Sequence, residues 1–195
     1  MKKLLGISLF LLFASVAFAG EIGIGTKAPG FSLVNAVDGK NYSFTPGSGK
    51  PAVVFFTCNQ CPWAKAFESR LIAIAKQYQT KGVNFYAIDS NDESRYEEET
   101  LANMKDRAVS KGYPYPYLKD GNSAVARSFG ARVTPHVFVI DGTGAVRYRG
   151  YVDDAAKPEE RKTTGLTDAL DALLAGREVA NATTRAFGCS IKFKG

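Results

Sequence analysis

The sequence predicts an α/β fold with a central mixed β-sheet flanked by helices and a β-hairpin extension at its N-terminal side. Three observations predict it. The runs "PAVVFF" at 51–56 and "VNFYAI" at 83–88 are short, continuous and rich in β-branched and aromatic residues, as strands buried on both faces are. Segments with apolar residues at three- and four-residue steps alternate with these runs, which implies helices crossing over a parallel core. Finally, "HVFVI" and "AVRYRGY" flank "DGTG", a hairpin signal that adds antiparallel strands.

Taken in order, residues 1–19 run from Lys2 and Lys3 through an apolar stretch to Ala17-Phe18-Ala19, the small-x-small pattern of a signal peptide. Cleavage is expected near Ala19-Gly20, and the apolar stretch is short for a membrane span. Residues 20–195 then read as a single domain with a C-terminal tail at 177–195. Phe31 and Leu33 alternate, Asp38-Gly39 turns the chain, and Tyr42 and Phe44 follow, which predicts the leading hairpin. From Pro62 to about Lys81, the spacing of Trp63, Phe67, Leu71, Ile74 and Tyr78 predicts an amphipathic helix whose first turn accommodates Pro62. A helix within 94–111 is expected to face inward with Leu101, Met104 and Ala108. "GYPYPYLKDGN" reads as a stiff extended loop, Ser123 to Phe129 as a short helix capped by Gly130, and "GLTDALDALLAG" as a helix ended by Gly176.

The chain has 195 residues and a formal net charge of +6, of which Lys2 and Lys3 supply 2. Its basic residues are dispersed, and its densest charge run, "DESRYEEE" from Asp92 to Glu99, is acidic and reads as a solvated face. That pattern speaks against nucleic-acid binding. With the leader removed, nothing in the sequence calls for a membrane partner either.

Chemistry concentrates in "TCNQCPW", where Cys58 and Cys61 sit between a buried strand and a helix. The pair admits three readings: a redox centre, part of a metal site, or a structural disulfide. Export would place it where disulfides form and persist. A staple closing so small a loop constrains the unfolded chain little. Zinc would need all three cysteines plus His136, the one histidine, and no ligand-pair spacing occurs in the second half. Pro62 stands where a c-type haem motif requires His. As a redox pair, Cys58 at the helix N-terminus is expected to have a lowered pKa and to be the nucleophile. Cys61 then attacks the mixed disulfide as the resolving thiol. No cofactor and no metal are required.

The succession of strand, Cys-x-x-Cys, helix and a much later "VTPHVFVI" resembles the thioredoxin superfamily. The resemblance implies a thioredoxin-like fold and a cis peptide bond at Thr134-Pro135 facing the cysteines. It further implies that Pro135 keeps metals from the thiols and that the Thr134 backbone pairs with an incoming peptide, making both residues substrate-binding. Six stretches in order, "KAPGFSLVNAVDGK", "TCNQCPWAKAFESRL", "SNDESRYEEET", "KGYPYPYLKD", "VRYRGYVDD" and "GCSIKFK", resemble the redoxin-domain, peroxiredoxin-like (AhpC/TSA-like) branch with a thioredoxin-type pair. Departures from thioredoxins are Thr57 before the pair, Asn59-Gln60 inside it and Pro62 after it.

The expected activity is that of an exported, periplasmic or secreted, thiol–disulfide oxidoreductase acting on protein or small-molecule disulfides and thiols. One alternative is a thiol-dependent peroxidase reducing peroxide through a sulfenic acid at Cys58, with Thr57 and Arg132 as auxiliary candidates. Another is a copper-binding metallochaperone of the same fold, with His136 joining the two thiolates. Cys189 stands open between an inert thiol and a further auxiliary that accepts the disulfide.

Overall fold

A computed structural model describes residues 20–195, and the expected leader at 1–19 lies outside them. The leading alternation becomes an antiparallel hairpin of β1 (Phe31–Asn35) and β2 (Asn41–Phe44), turned at Gly39 with φ +70°. The two apolar runs become β3 (Ala52–Phe56), buried throughout, and β4 (Asn84–Asp89), paired in parallel. Helix α1 (Pro62–Gln79) crosses between them. After a 3-10 turn at Glu97–Glu99 come α2 (Leu101–Lys111), β5 (Tyr117–Lys119) and α3 (Ala124–Phe129). The chain continues through β6 (Val133–Thr134), β7 (His136–Ile140), β8 (Val146–Gly150), α4 (Gly165–Leu174) and β9 (Cys189–Ser190).

Seven strands form one mixed sheet in the order β2-β1-β5-β4-β3-β7-β8, and β6 and β9 form a separate antiparallel pair. This is the thioredoxin-like fold with its N-terminal hairpin joined to the sheet through β5. Alternation along the central strands separates two cores. Val53 and Phe55 face Phe67, Leu71 and Tyr78 of α1 and Leu166 and Leu170 of α4, whereas Val54 and Phe56 face Ala126 and Phe129 of α3. Among the described residues, no helix is long and apolar enough to cross a membrane.

Three expectations are corrected. The "YPYPY" segment is a loop only as far as Pro116: Tyr117 enters β5, between β1 and β4, with its ring fully buried. Trp63 is 38% exposed rather than in the core, and its ring meets Phe187 of the tail edge-on. Leu101 is also exposed, so α2 buries only Met104 and Ala108.

β4 and β5 deliver a buried ion pair to the end of the sheet. The Lys119 ammonium lies 3.5 Å from Asp89 Oδ2 and donates to the carbonyls of Asn91 at 2.9 Å and Glu99 at 2.7 Å. Burial raises the Asp89 pKa well above the usual carboxylate range, against the pull of Lys119. Removing one member of such a group leaves buried charge or carbonyls unpaired, at about 3–5 kcal/mol. Lys119→Met is expected to lower the unfolding free energy by about 3 kcal/mol, measured by urea titration at neutral pH. The double variant Lys119→Met/Asp89→Leu should recover part of that loss.

Candidate dithiol site

Local structure dictates where the two thiols lie. β3 ends at Phe56, and the following Thr57 still donates its N–H to Ile88 of the neighbouring strand at 2.9 Å. With Pro62 at N1, the N-cap position falls on Cys61, whose sulfur accepts the Ala64 N–H at 3.4 Å. Cys58, Cys61 and Ala64 form a small buried cluster, and Cys189 packs against it.

Thr134 connects the cluster to the opposite loop. Its hydroxyl lies 3.3 Å from the Cys58 sulfur, and its carbonyl accepts the Cys61 thiol at 3.2 Å. The peptide bond to Pro135 is cis, as the resemblance implied. The backbone edge expected to receive a peptide is already occupied, because β9 pairs there antiparallel with Thr134 opposite Cys189.

The buried carboxylate of Glu99 organises the turn between the cysteines. It accepts the Asn59 N–H at 2.7 Å and the Gln60 N–H at 3.1 Å, and Asn91 donates to it at 3.3 Å. Asn59 is fixed further by its side chain, which donates to the Glu98 carbonyl at 2.6 Å and accepts the Tyr117 hydroxyl at 3.1 Å. Glu99 lies in the acidic run read from the sequence as a solvated face, yet it is fully buried.

This arrangement reverses the expected electrostatics of the pair. Cys58 is pushed up as a thiol, first by hydrogen bonding to Cys61, then by burial and by the Glu99 charge. Cys61 is held below the ordinary thiol value, mainly by the Cys58 hydrogen bond, with smaller help from Cys189, the Thr134 hydroxyl and the Ala64 N–H. Burial opposes that lowering. Cys58 is therefore the harder of the two thiols to ionise and Cys61 the easier. The helix dipole that was expected to act on Cys58 acts instead on the residue occupying the N-cap.

The remaining candidates separate from this cluster. Thr57 is buried beside the pair, with its hydroxyl in no hydrogen bond among the described residues. The Arg132 side chain is exposed and lines an open cavity with Glu21, His136 and Thr183. His136 stacks on Phe138 at 4.5 Å, on the α3 side of the sheet, while Cys61 caps α1 on the other side. The copper reading thus loses its imidazole. Among the described residues no group of three or more His, Cys, Asp and Glu side chains is arranged to hold a metal ion. Burial, aided by Arg149, pushes the His136 imidazole down to about 4, and neither ring nitrogen has a hydrogen-bond partner among the described residues.

Fold and site together define a thioredoxin-like protein with a buried pair of thiols at the start of a helix. The chain belongs to the AhpC/TSA family, whose model matches residues 24–149. It is similar to the thiol:disulfide interchange protein DsbE of Vibrio cholerae, at 28% identity over 128 residues, which is 65% of this chain and 64% of that protein. The chain thus spans less than two thirds of that relative's length. A crystal structure of an uncharacterized conserved protein from Geobacillus kaustophilus matches at 39% identity and a TM-score of 0.82, covering 88% of this chain and 93% of the other. A thioredoxin family thiol:disulfide interchange protein from Chlorobium tepidum shares the fold, with a TM-score of 0.61 at 24% identity over 78% of this chain and 99% of the other.

Glu99→Gln removes the charge facing Cys58 while preserving an acceptor, so the Cys58 thiol should be alkylated several-fold faster by iodoacetamide at neutral pH. Mass mapping of early modification checks this; an unchanged rate would remove Glu99 from the electrostatics of the pair. A second expectation concerns acid stability. Because the folded His136 pKa is lowered to about 4, its contribution is complete above the unfolded value near 6.5 and is lost as pH falls through that window. The loss approaches about 3 kcal/mol, and His136→Leu should flatten the stability curve there, as read from urea unfolding between pH 7.5 and 4.

Proposed function

We propose that this protein is a thiol–disulfide oxidoreductase whose working centre is the Cys58–Cys61 couple. The observation that carries this reading is the geometry of the pair: two buried thiols lie together at a helix N-terminus, both within hydrogen-bond reach of Thr134, whose peptide bond to Pro135 is cis. The similarity to the thiol:disulfide interchange protein of Vibrio cholerae supports the same chemistry.

In the reductive direction, Cys58 gives up its proton and its sulfur attacks one sulfur of an external disulfide. One substrate thiolate leaves and becomes protonated. Cys61 then gives up its proton and attacks the Cys58 sulfur of the mixed disulfide, expelling the second substrate thiolate. The substrate gains two electrons, and the protein keeps one disulfide. Run backwards, the same steps oxidise a dithiol.

Substrates in this reading are protein or small-molecule disulfides and thiols. Residues 20–195 act as one exported unit after removal of 1–19, in the periplasm or outside the cell. The peroxidase alternative draws no support from Arg132, whose exposed side chain lies in a different cavity from the pair.

Titration of the full chain in defined glutathione buffers, followed by alkylation and mass mapping, should reveal a reversible Cys58–Cys61 disulfide. Cys58→Ser is expected to abolish exchange with a model disulfide, and Cys61→Ser to accumulate mixed disulfides on Cys58. Full exchange activity in Cys58→Ser would sink the assignment.

A further inference from the structure

We propose that Cys189 is a third redox thiol, which takes over the active-site disulfide in cis by attacking Cys61 from a tail strand lying where a substrate strand would lie. The proposal rests on the redox reading of Cys58 and Cys61 and extends it to a residue outside the Cys-x-x-Cys motif.

The geometry converges on one residue. Thr134 meets Cys58 through its hydroxyl, Cys61 through its carbonyl and Cys189 through its backbone register in the β6–β9 pair. All three sulfur-bearing side chains therefore surround one peptide unit, and Cys189 packs on the cluster the other two form. The approach is built into the backbone. Gly188 has φ +149°, and a Cβ there would overlap the Thr134 carbonyl, so only glycine lets the strand come this close.

Anchors on both sides hold the register. Before the strand, the Phe187 ring meets Trp63 edge-on at 5.1 Å and Phe67 at 5.9 Å. After it, Ile191 is buried in the α3-side core and donates its N–H to the Arg132 carbonyl at 2.8 Å. A cysteine that merely fills space needs neither a glycine-dependent approach nor a strand paired opposite the cis-proline loop.

The exchange balances without an added oxidant. After the first turnover the protein carries the Cys58–Cys61 disulfide. The Cys189 thiolate attacks the Cys61 sulfur, the Cys58–Cys61 bond breaks, a Cys61–Cys189 bond forms, and Cys58 leaves as a thiolate that takes up the proton Cys189 released. No electrons enter or leave. Burial, then hydrogen bonding to Cys61, raises the Cys189 pKa to about 11 while Cys61 is free. Once Cys61 is in a disulfide that interaction is gone, and Cys189 ionises more readily. The transfer is thereby timed to follow substrate reduction, and it returns Cys58 to the thiol state.

The test uses the full chain oxidised with glutathione disulfide, quenched with acid, alkylated and digested with trypsin without reduction. Cys58 and Cys61 remain on one tryptic peptide and Cys189 falls on another, so transfer appears as a cross-link between the two. Wild-type protein is expected to show this cross-link beside the internal Cys58–Cys61 disulfide. Cys58→Ser should convert mostly to the Cys61–Cys189 form, and Gly188→Val should reduce the cross-link at least tenfold while the internal disulfide persists. The proposal is overturned if wild type and Cys58→Ser give no cross-link and Cys58→Ser carries glutathione on Cys61 with Cys189 alkylated. Failure of the underlying redox reading looks different: in that case even Cys189→Ser forms no Cys58–Cys61 disulfide.

Discussion

One buried carboxylate holds the site together. Two consecutive backbone N–H groups between the cysteines point away from solvent, and without an acceptor each would carry a desolvation penalty of about 1–3 kcal/mol. Glu99 accepts both, and its own position is fixed because Lys119, rising from the central sheet, binds its backbone carbonyl. The geometry of the dithiol turn is therefore set by a lysine two strands away from the one that precedes it. The same carboxylate contributes a negative field at Cys58, so the group that supports the backbone also adds to the raising of the Cys58 pKa, after the Cys61 hydrogen bond and burial.

This coupling explains why the pair does not follow the simplest helix-dipole expectation. A helix N-terminus favours charge on whichever side chain occupies the cap, and Pro62 fixes that residue as Cys61. Cys58, three residues earlier and under the Glu99 charge, is the harder thiol to ionise. Ease of ionisation thus separates the two sulfurs even though both are buried, and Thr134 meets Cys58 with its hydroxyl and Cys61 with its carbonyl.

Much of the fold was legible because its signals are local. The buried runs, the helical spacing of α1 and the turns at Asp38-Gly39 and Asp141–Gly144 state their own structure. The cysteine pair and the proline loop were legible as motifs. What the sequence hid was decided by distant partners. β5 has three residues framed by Tyr-Pro repeats, and it is a strand only because β1 and β4 offer ladders on both sides. Two-residue β9 exists only against β6. Glu99 shares its run with exposed acids, and nothing local tells it apart from Glu97 or Glu98; only the fold turns it inward. The lone histidine illustrates the converse, since adjacency to Pro135 in sequence put it near the thiols while strand alternation sends it to the other face.

Trp63 gives the architecture an optical consequence. It is the single tryptophan, two residues after Cys61, half-open to solvent and edge-on to Phe187 just ahead of the tail strand. Every photon this indole emits comes from one place, where thiolate, disulfide and tail all alter its surroundings. Emission intensity and wavelength therefore provide a built-in, label-free signal of sulfur chemistry at the helix start and of whether the tail is docked, on the timescale of a stopped-flow mixing experiment.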